Sequence, residues 1–117
     1  MPSTGLNGPY ILTAENIDKV ILRRSAGTYA LDRSNDMDAF HVCCVGRSDN
    51  NLNARLKSYI GGEYNYFKYG YSPSPKAAFE KECELYHDWN PPDNETHPDR
   101  PKGTNFGCPV DGCDALD

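Results

Sequence analysis

Apolar positions along the chain alternate between two spacings, and each change of spacing marks the border of an element. In TAENIDKVILRR, Ile17, Val20 and Ile21 fall at i, i+3 and i+4, one face of a helix, with Thr13 placed to cap it. The triplet SAG ends that helix. GTYAL then alternates, Tyr29 and Leu31 to one side and Thr28 and Ala30 to the other, as strand residues do. DRSNDMD reads as a turn or wide hairpin loop. AFHVCCVG is nearly continuous in apolar residues, which predicts a central strand ending at Gly46. Helical spacing returns in NLNARLKSYI through Leu52, Leu56 and Tyr59 or Ile60, and Gly61 and Gly62 stop it. EYNYFKYGYS predicts a third strand with Phe67, Tyr69 and Tyr71 on one face. The plainest helix is SPSPKAAFEKECELYHDW, with Ser74 as N-cap, Pro75 at the first helical position, and Ala78, Phe79, Cys83 and Tyr86 inward.

The expected fold class is therefore α+β: a small three-stranded antiparallel sheet flanked by helices, spanning residues 10–89. Residues 1–9, rich in Gly, Pro, Ser and Asn, read as a flexible arm. Residues 90–117 form a proline-rich tail without periodicity, which needs some anchor other than secondary structure. At 117 residues there is room for one core only. No stretch approaches the roughly 20 apolar residues that span a bilayer, and the N-terminus has no signal-peptide pattern, so a cytoplasmic location and no membrane partner are expected. Five cysteines, two of them adjacent, favour thiols or metal ligands over a disulfide framework. The net charge of −5 argues against a long nucleic-acid track. Seven Lys/Arg against six Asp/Glu in residues 1–57, and five against eleven afterwards, confine any basic surface to the first half, around Arg23, Arg24, Arg47, Arg55 and Lys57.

Order and residues together resemble one family, the GIY-YIG nucleases. GTYAL stands where those enzymes have their first motif and CVG (Cys44–Gly46) where they have the second. GRSDNNLNARLKSYI is similar to the following segment, in which a turn and a helix present an arginine; Arg55 and Tyr59 match it. AFEKECELYH resembles the last motif, with Glu82 as its glutamate. The likeness spans residues 25–87, and it implies hydrolysis of DNA phosphodiester bonds with one divalent metal. By position Tyr29 would be the general base, its pKa lowered by nearby positive charge, and Arg55 would bind the phosphate and stabilise the charge that grows on it. Glu82 would hold Mg²⁺ or Mn²⁺, and Tyr59 would orient the phosphate or the water. Arg47 and Lys57 are further substrate-binding candidates. One departure is Cys44, which stands in place of the second motif's tyrosine. Read singly, Tyr29 is a packing residue and Arg55 and Glu82 are solvated charges.

The tail suggests a separate structural zinc site. Cys83 and His87 lie four apart on the last helix, and CPVDGC supplies Cys108 and Cys113, with His97 as a spare ligand. Four such ligands would anchor a segment with no core of its own; the bland alternative makes Cys83 a buried apolar residue and the tail cysteines free thiols. Two further functional readings stand beside the endonuclease. One is a catalytically inactive domain of the same fold binding nucleic acid or a protein partner; the other is a zinc-dependent interaction module centred on the tail.

Overall fold

One strand organises the molecule. The computed structural model describes residues 4–36, 38–113 and 115, and in it every residue of Gly27–Asp32 is buried. In chain order the elements are β1 (Asn7–Ile11), α1 (Ala14–Val20), β2 (Gly27–Asp32), β3 (Cys44–Ser48), α2 (Leu52–Lys57), β4 (Tyr66–Tyr71) and α3 (Pro75–Trp89). The sheet runs β1-β4-β2-β3 with every neighbouring pair antiparallel. Its two faces are covered differently. Ile17, Ile21, Leu52 and Leu56 from the α1 and α2 side pack on Tyr29, Leu31 and Phe67, while Leu85 of α3 packs on Ala30, Val42 and Val45. Each fully buried aliphatic side chain contributes about 2 kcal/mol of transfer free energy. No helix among the described residues is long and apolar enough to cross a membrane.

The α+β class holds, but the sheet has four strands rather than three. The additional strand, β1, is built partly from residues expected to form the flexible arm. Its sequence NGPYI shows no alternation because it lies on the sheet edge, where its pairing with β4 shifts register between Asn7 and Tyr10. An edge tolerates the proline that an inner strand would exclude.

The second predicted strand also differs. It begins only at Cys44 and runs past Gly46 to Ser48, and it is the opposite edge of the sheet rather than its centre. Its apolar density reflects what covers it. Val42 and Val45 lie under α3, and the tail closes the exposed backbone edge. The Asn94 amide accepts from Val45 N at 2.8 Å and donates to Val45 O at 3.0 Å, and Asp93 N donates to Cys43 O at 2.9 Å. These bonds do the work of a missing fifth strand.

The path of the tail starts at the end of α3. Ser74 caps that helix, its hydroxyl accepting from Ala77 N at 3.1 Å. Asn90 ends it in the left-handed conformation (φ 45°), followed by Pro91 and Pro92, which cannot extend it. The chain then turns back along β3. Residues 90–113 contain no helix or strand, yet Pro91, Pro98 and Pro101 are buried, so this segment packs as part of the domain.

Candidate active site

Tyr29 is fully buried in β2, and its hydroxyl lies against Gly46, its register partner on β3. A Cβ at position 46 would stand 2.3 Å from that hydroxyl oxygen, so only glycine leaves room for the phenol. The α2 helix brings in the next two groups. Asn51 caps it, accepting from Ala54 N at 3.1 Å, and Leu52 and Leu56 fix its buried face. Arg55 then reaches the cleft, and its Nε donates to the Tyr29 hydroxyl at 3.4 Å. Past the helix end the backbone tightens to i→i−3 bonds, with Tyr59 N donating to Leu56 O at 3.1 Å. That turn holds the Tyr59 hydroxyl 2.6 Å from the Tyr29 hydroxyl.

Glu82 arrives from the other side of the sheet. It lies on the buried face of α3, and its Oε1 accepts from Arg47 Nη1 at 2.6 Å. Arg47 follows Gly46 on β3 and also bonds Asp49 Oδ1 at 2.9 Å and the Asp99 carbonyl at 2.6 Å. Because β3 is an edge strand and Gly46 has no side chain, groups from both faces open onto one cleft of about 560 Å³. Tyr29, Arg55, Tyr59, Arg47 and Glu82 all line it, as do Cys44 and, from the tail, Asn94 and Asp99. Lys57 does not reach it; this lysine turns away to pair with Asp18 of α1 at 2.6 Å.

The electrostatics of the cleft differ from expectation at Tyr29. Burial, reinforced by the neighbouring Tyr59, pushes the Tyr29 phenol well above its ordinary pKa, and only Arg55 pulls it down. The expected lowering is reversed because one partly exposed guanidinium does not offset desolvation of a fully buried ring. Burial likewise raises Glu82, against the opposing pull of Arg47. Burial works against Arg47's charge too, but its ion pairs with Glu82 and Asp49 outweigh it and hold its pKa up. Glu82 is thus the partner that bears the residual cost of a desolvated ion pair. Burial also raises the Cys44 thiol, so a neutral group stands at the cleft wall.

A second cluster lies where the tail crosses α3. The ligand atoms of His87, His97, Cys108 and Cys113 all fall within 4.8 Å of one another, an arrangement suited to a metal ion. Cys108 Sγ is 3.5 Å from His87 Nε2, and Cys113 Sγ is 3.4 Å from His97 Nε2. His97 Nδ1 lies 2.9 Å from the Pro98 carbonyl, which fixes that proton on Nδ1 and leaves Nε2 to face the thiols. Cys83, expected as a ligand, is not in this set. Residues four apart on a helix are offset around its axis, and here Cys83 falls in the core with no exposed surface while His87 stands in solvent. Burial pushes its thiol up, and Cys108 lies beside it. The cluster includes the spare candidate His97, and Cys83 borders it through Cys108.

Sequence reasoning missed Asn94, Asp99 and Asp32. Asn94 and Asp99 act through backbone contacts that no spacing announces. Asp32, assigned to a loop, is fully buried and accepts from Ser34 N, Ser34 Oγ and His41 N at 2.7–3.0 Å, shaping the loop that carries the chain into β3. The only available signal for it was a lone acidic residue directly after an apolar strand. No protein-family model, curated protein or solved structure matches this chain.

Proposed function

We propose that the chain is a metal-dependent endonuclease domain of the GIY-YIG type, hydrolysing phosphodiester bonds in DNA. The observation that carries this reading is the meeting of Tyr29, Arg55, Tyr59 and Glu82, drawn from β2, α2, the turn that follows α2 and α3, in one cleft at the β3 edge. Core packing accounts for the approach of the Tyr29 and Tyr59 rings; it does not account for Arg55 and Glu82, separated from Tyr29 by up to 53 positions, lining the same polar concavity.

In this reading Arg55 holds the scissile phosphate and stabilises its developing negative charge through the guanidinium fork. Water adds to phosphorus, its proton passes to the Tyr29 phenolate, which later releases it to solvent, and the P–O bond to the leaving sugar oxygen breaks. The leaving oxygen takes a proton from solvent. Tyr59, bonded to Tyr29, orients that hydroxyl. The donor set offered near the phosphate is one buried carboxylate, Glu82, which suits Mg²⁺ or Mn²⁺, hard cations that keep waters and take phosphate oxygens. Such an ion supplies charge neutralisation and a more acidic water.

The cluster in the tail is read as a structural zinc site. Tetrahedral zinc with bonds of about 2.3 Å to sulfur and about 2.05 Å to nitrogen separates the two atoms by roughly 3.6 Å, close to the 3.5 and 3.4 Å found here. Four protein ligands leave no open position, so this ion would anchor the tail rather than activate water.

The test is plasmid nicking in Mg²⁺ or Mn²⁺. Arg55→Ala and Glu82→Ala should each lower the rate by roughly 10²–10³-fold. One observation favours the rival reading, a catalytically inactive domain that binds DNA or a protein: Glu82 is already engaged by Arg47. Binding of DNA without any metal-dependent cleavage would select that alternative.

A further inference from the structure

A larger groove of about 1030 Å³ lies beside the catalytic cleft and shares Arg47, Asp49 and Asp99 with it. Its wall is made by the start of α3 and by the tail, with Ser74, Lys76, Arg100, Lys102, Thr104 and Phe106 facing in. The second half of the chain holds five Lys/Arg among eleven acidic residues, and three of those five line this one groove. Of the two acids present, Asp49 is already paired with Arg47. Phe106 is half-buried, packs on Phe79 with ring centroids 6.4 Å apart, and has the Lys76 ammonium 5.8 Å from its own centroid. Cations beside an aromatic ring, continuous with a phosphate site, are the makings of a single-strand platform, where phosphates meet lysines and a base stacks on the ring. The expectation that basic surface is confined to the first half of the chain misses this groove, because the acidic average conceals the local grouping.

We propose that this groove is a second nucleic-acid subsite, taking the unpaired nucleotides that flank the scissile phosphate, with a base on Phe106 and backbone phosphates on Lys76 and Lys102. The inference rests on the endonuclease reading and deepens it: the substrate class becomes DNA with a single-stranded segment next to the cut. The groove wall from 98 to 107 is bounded by His97 and Cys108, two members of the His/Cys cluster. Anchoring of the tail and recognition of the strand are therefore one construction.

The test is fluorescence anisotropy with a labelled 12-nucleotide single strand and the matching blunt duplex, using the full chain with zinc, alongside cleavage kinetics on a flapped duplex. Lys76→Gln/Lys102→Gln should bind the single strand about tenfold more weakly, with a salt dependence shallower by roughly one to two counterions. Phe106→Ala should lose about tenfold as well, and both variants should raise KM for the flapped duplex while leaving kcat unchanged. The lysine side chains are exposed, so that double variant carries the test even if Phe106→Ala loosens the tail. Equal binding of single strand and blunt duplex, or wild-type affinity in both variants, overturns the proposal. Cleavage with unchanged KM in the variants refutes the groove and leaves the active-site reading standing. Loss of binding in the variants of a protein that never cleaves supports the groove and removes the hydrolytic reading instead.

Discussion

Gly46 has no side chain, and the hydroxyl of Tyr29 occupies the space a methyl group would need. Gly46→Ala should therefore force the ring or β3 aside, at a cost of about 1–3 kcal/mol, read as a lower urea midpoint with an unchanged slope. The same ring sets the pH behaviour of the proposed reaction. Because burial raises the Tyr29 pKa, the phenolate is scarce at neutral pH, and cleavage should climb with pH through the alkaline range. A rate that peaks below neutrality would assign the base to another group. Glu82 titrates in the same cleft with a pKa also raised by burial. A raised carboxylate binds its proton more tightly when folded, so its contribution to stability is full below the unfolded value and fades as pH rises through the folded one. Relative to Glu82→Gln, which does not titrate, the wild type should gain stability as pH falls from neutrality toward about 4.5, near the ordinary glutamate range. Urea midpoints of the two proteins at several pH values check the sign.

Among the elements, α3 shows most clearly what sequence patterning can and cannot reveal. Its Ser74 cap, Pro75 and buried Ala78, Phe79 and Cys83 follow from spacing alone. Glu82, by contrast, is singled out only by the resemblance of AFEKECELYH to the family's last motif, since spacing by itself makes it a solvated charge. What spacing does not give is the partner of each ligand. Cys83 and His87 share a helix face by count, yet a small rotation separates core from solvent, and only the tail's path decides that His97 completes the cluster. The strands were legible where alternation is strong, as in β2 and β4. β1 was not, because an edge strand holding Gly8 and Pro9 has no apolar rhythm, and β3 was misplaced because the covering tail imitates a central strand. The His/Cys cluster yields its own prediction. Protein purified without chelator should carry about one equivalent of zinc, and its removal should lower Tm by at least about 4 °C, the shift that roughly 1 kcal/mol brings in a domain near this size. His97→Ala should lose the metal, whereas Cys83→Ala should retain it while losing core stability.

For the whole molecule, the functional reading depends on both edges of one small sheet being closed differently. β1 finishes one edge with backbone pairing; at the other, the described residues of the tail bond the backbone at Cys43 and Val45, and the cleft opens at Gly46. Through that opening the two faces of the sheet contribute to a single site, Tyr29, Arg55 and Tyr59 from one and Arg47 and Glu82 from the other. A net charge of −5 is compatible with a nucleic-acid ligand because five of the twelve Lys/Arg, namely Arg47, Arg55, Lys76, Arg100 and Lys102, line the cleft and its neighbouring groove against three acids. The change that tests this account most directly removes one oxygen atom. Tyr29→Phe keeps the buried ring and should cost only about 1 kcal/mol for the lost hydrogen bonds. The single-turnover rate of DNA cleavage in Mg²⁺, measured for wild type and Tyr29→Phe at equal folded fraction, should fall by roughly 10²–10⁴-fold. Equal rates in the two proteins, or no cleavage by the wild type under any divalent ion, would contradict the account.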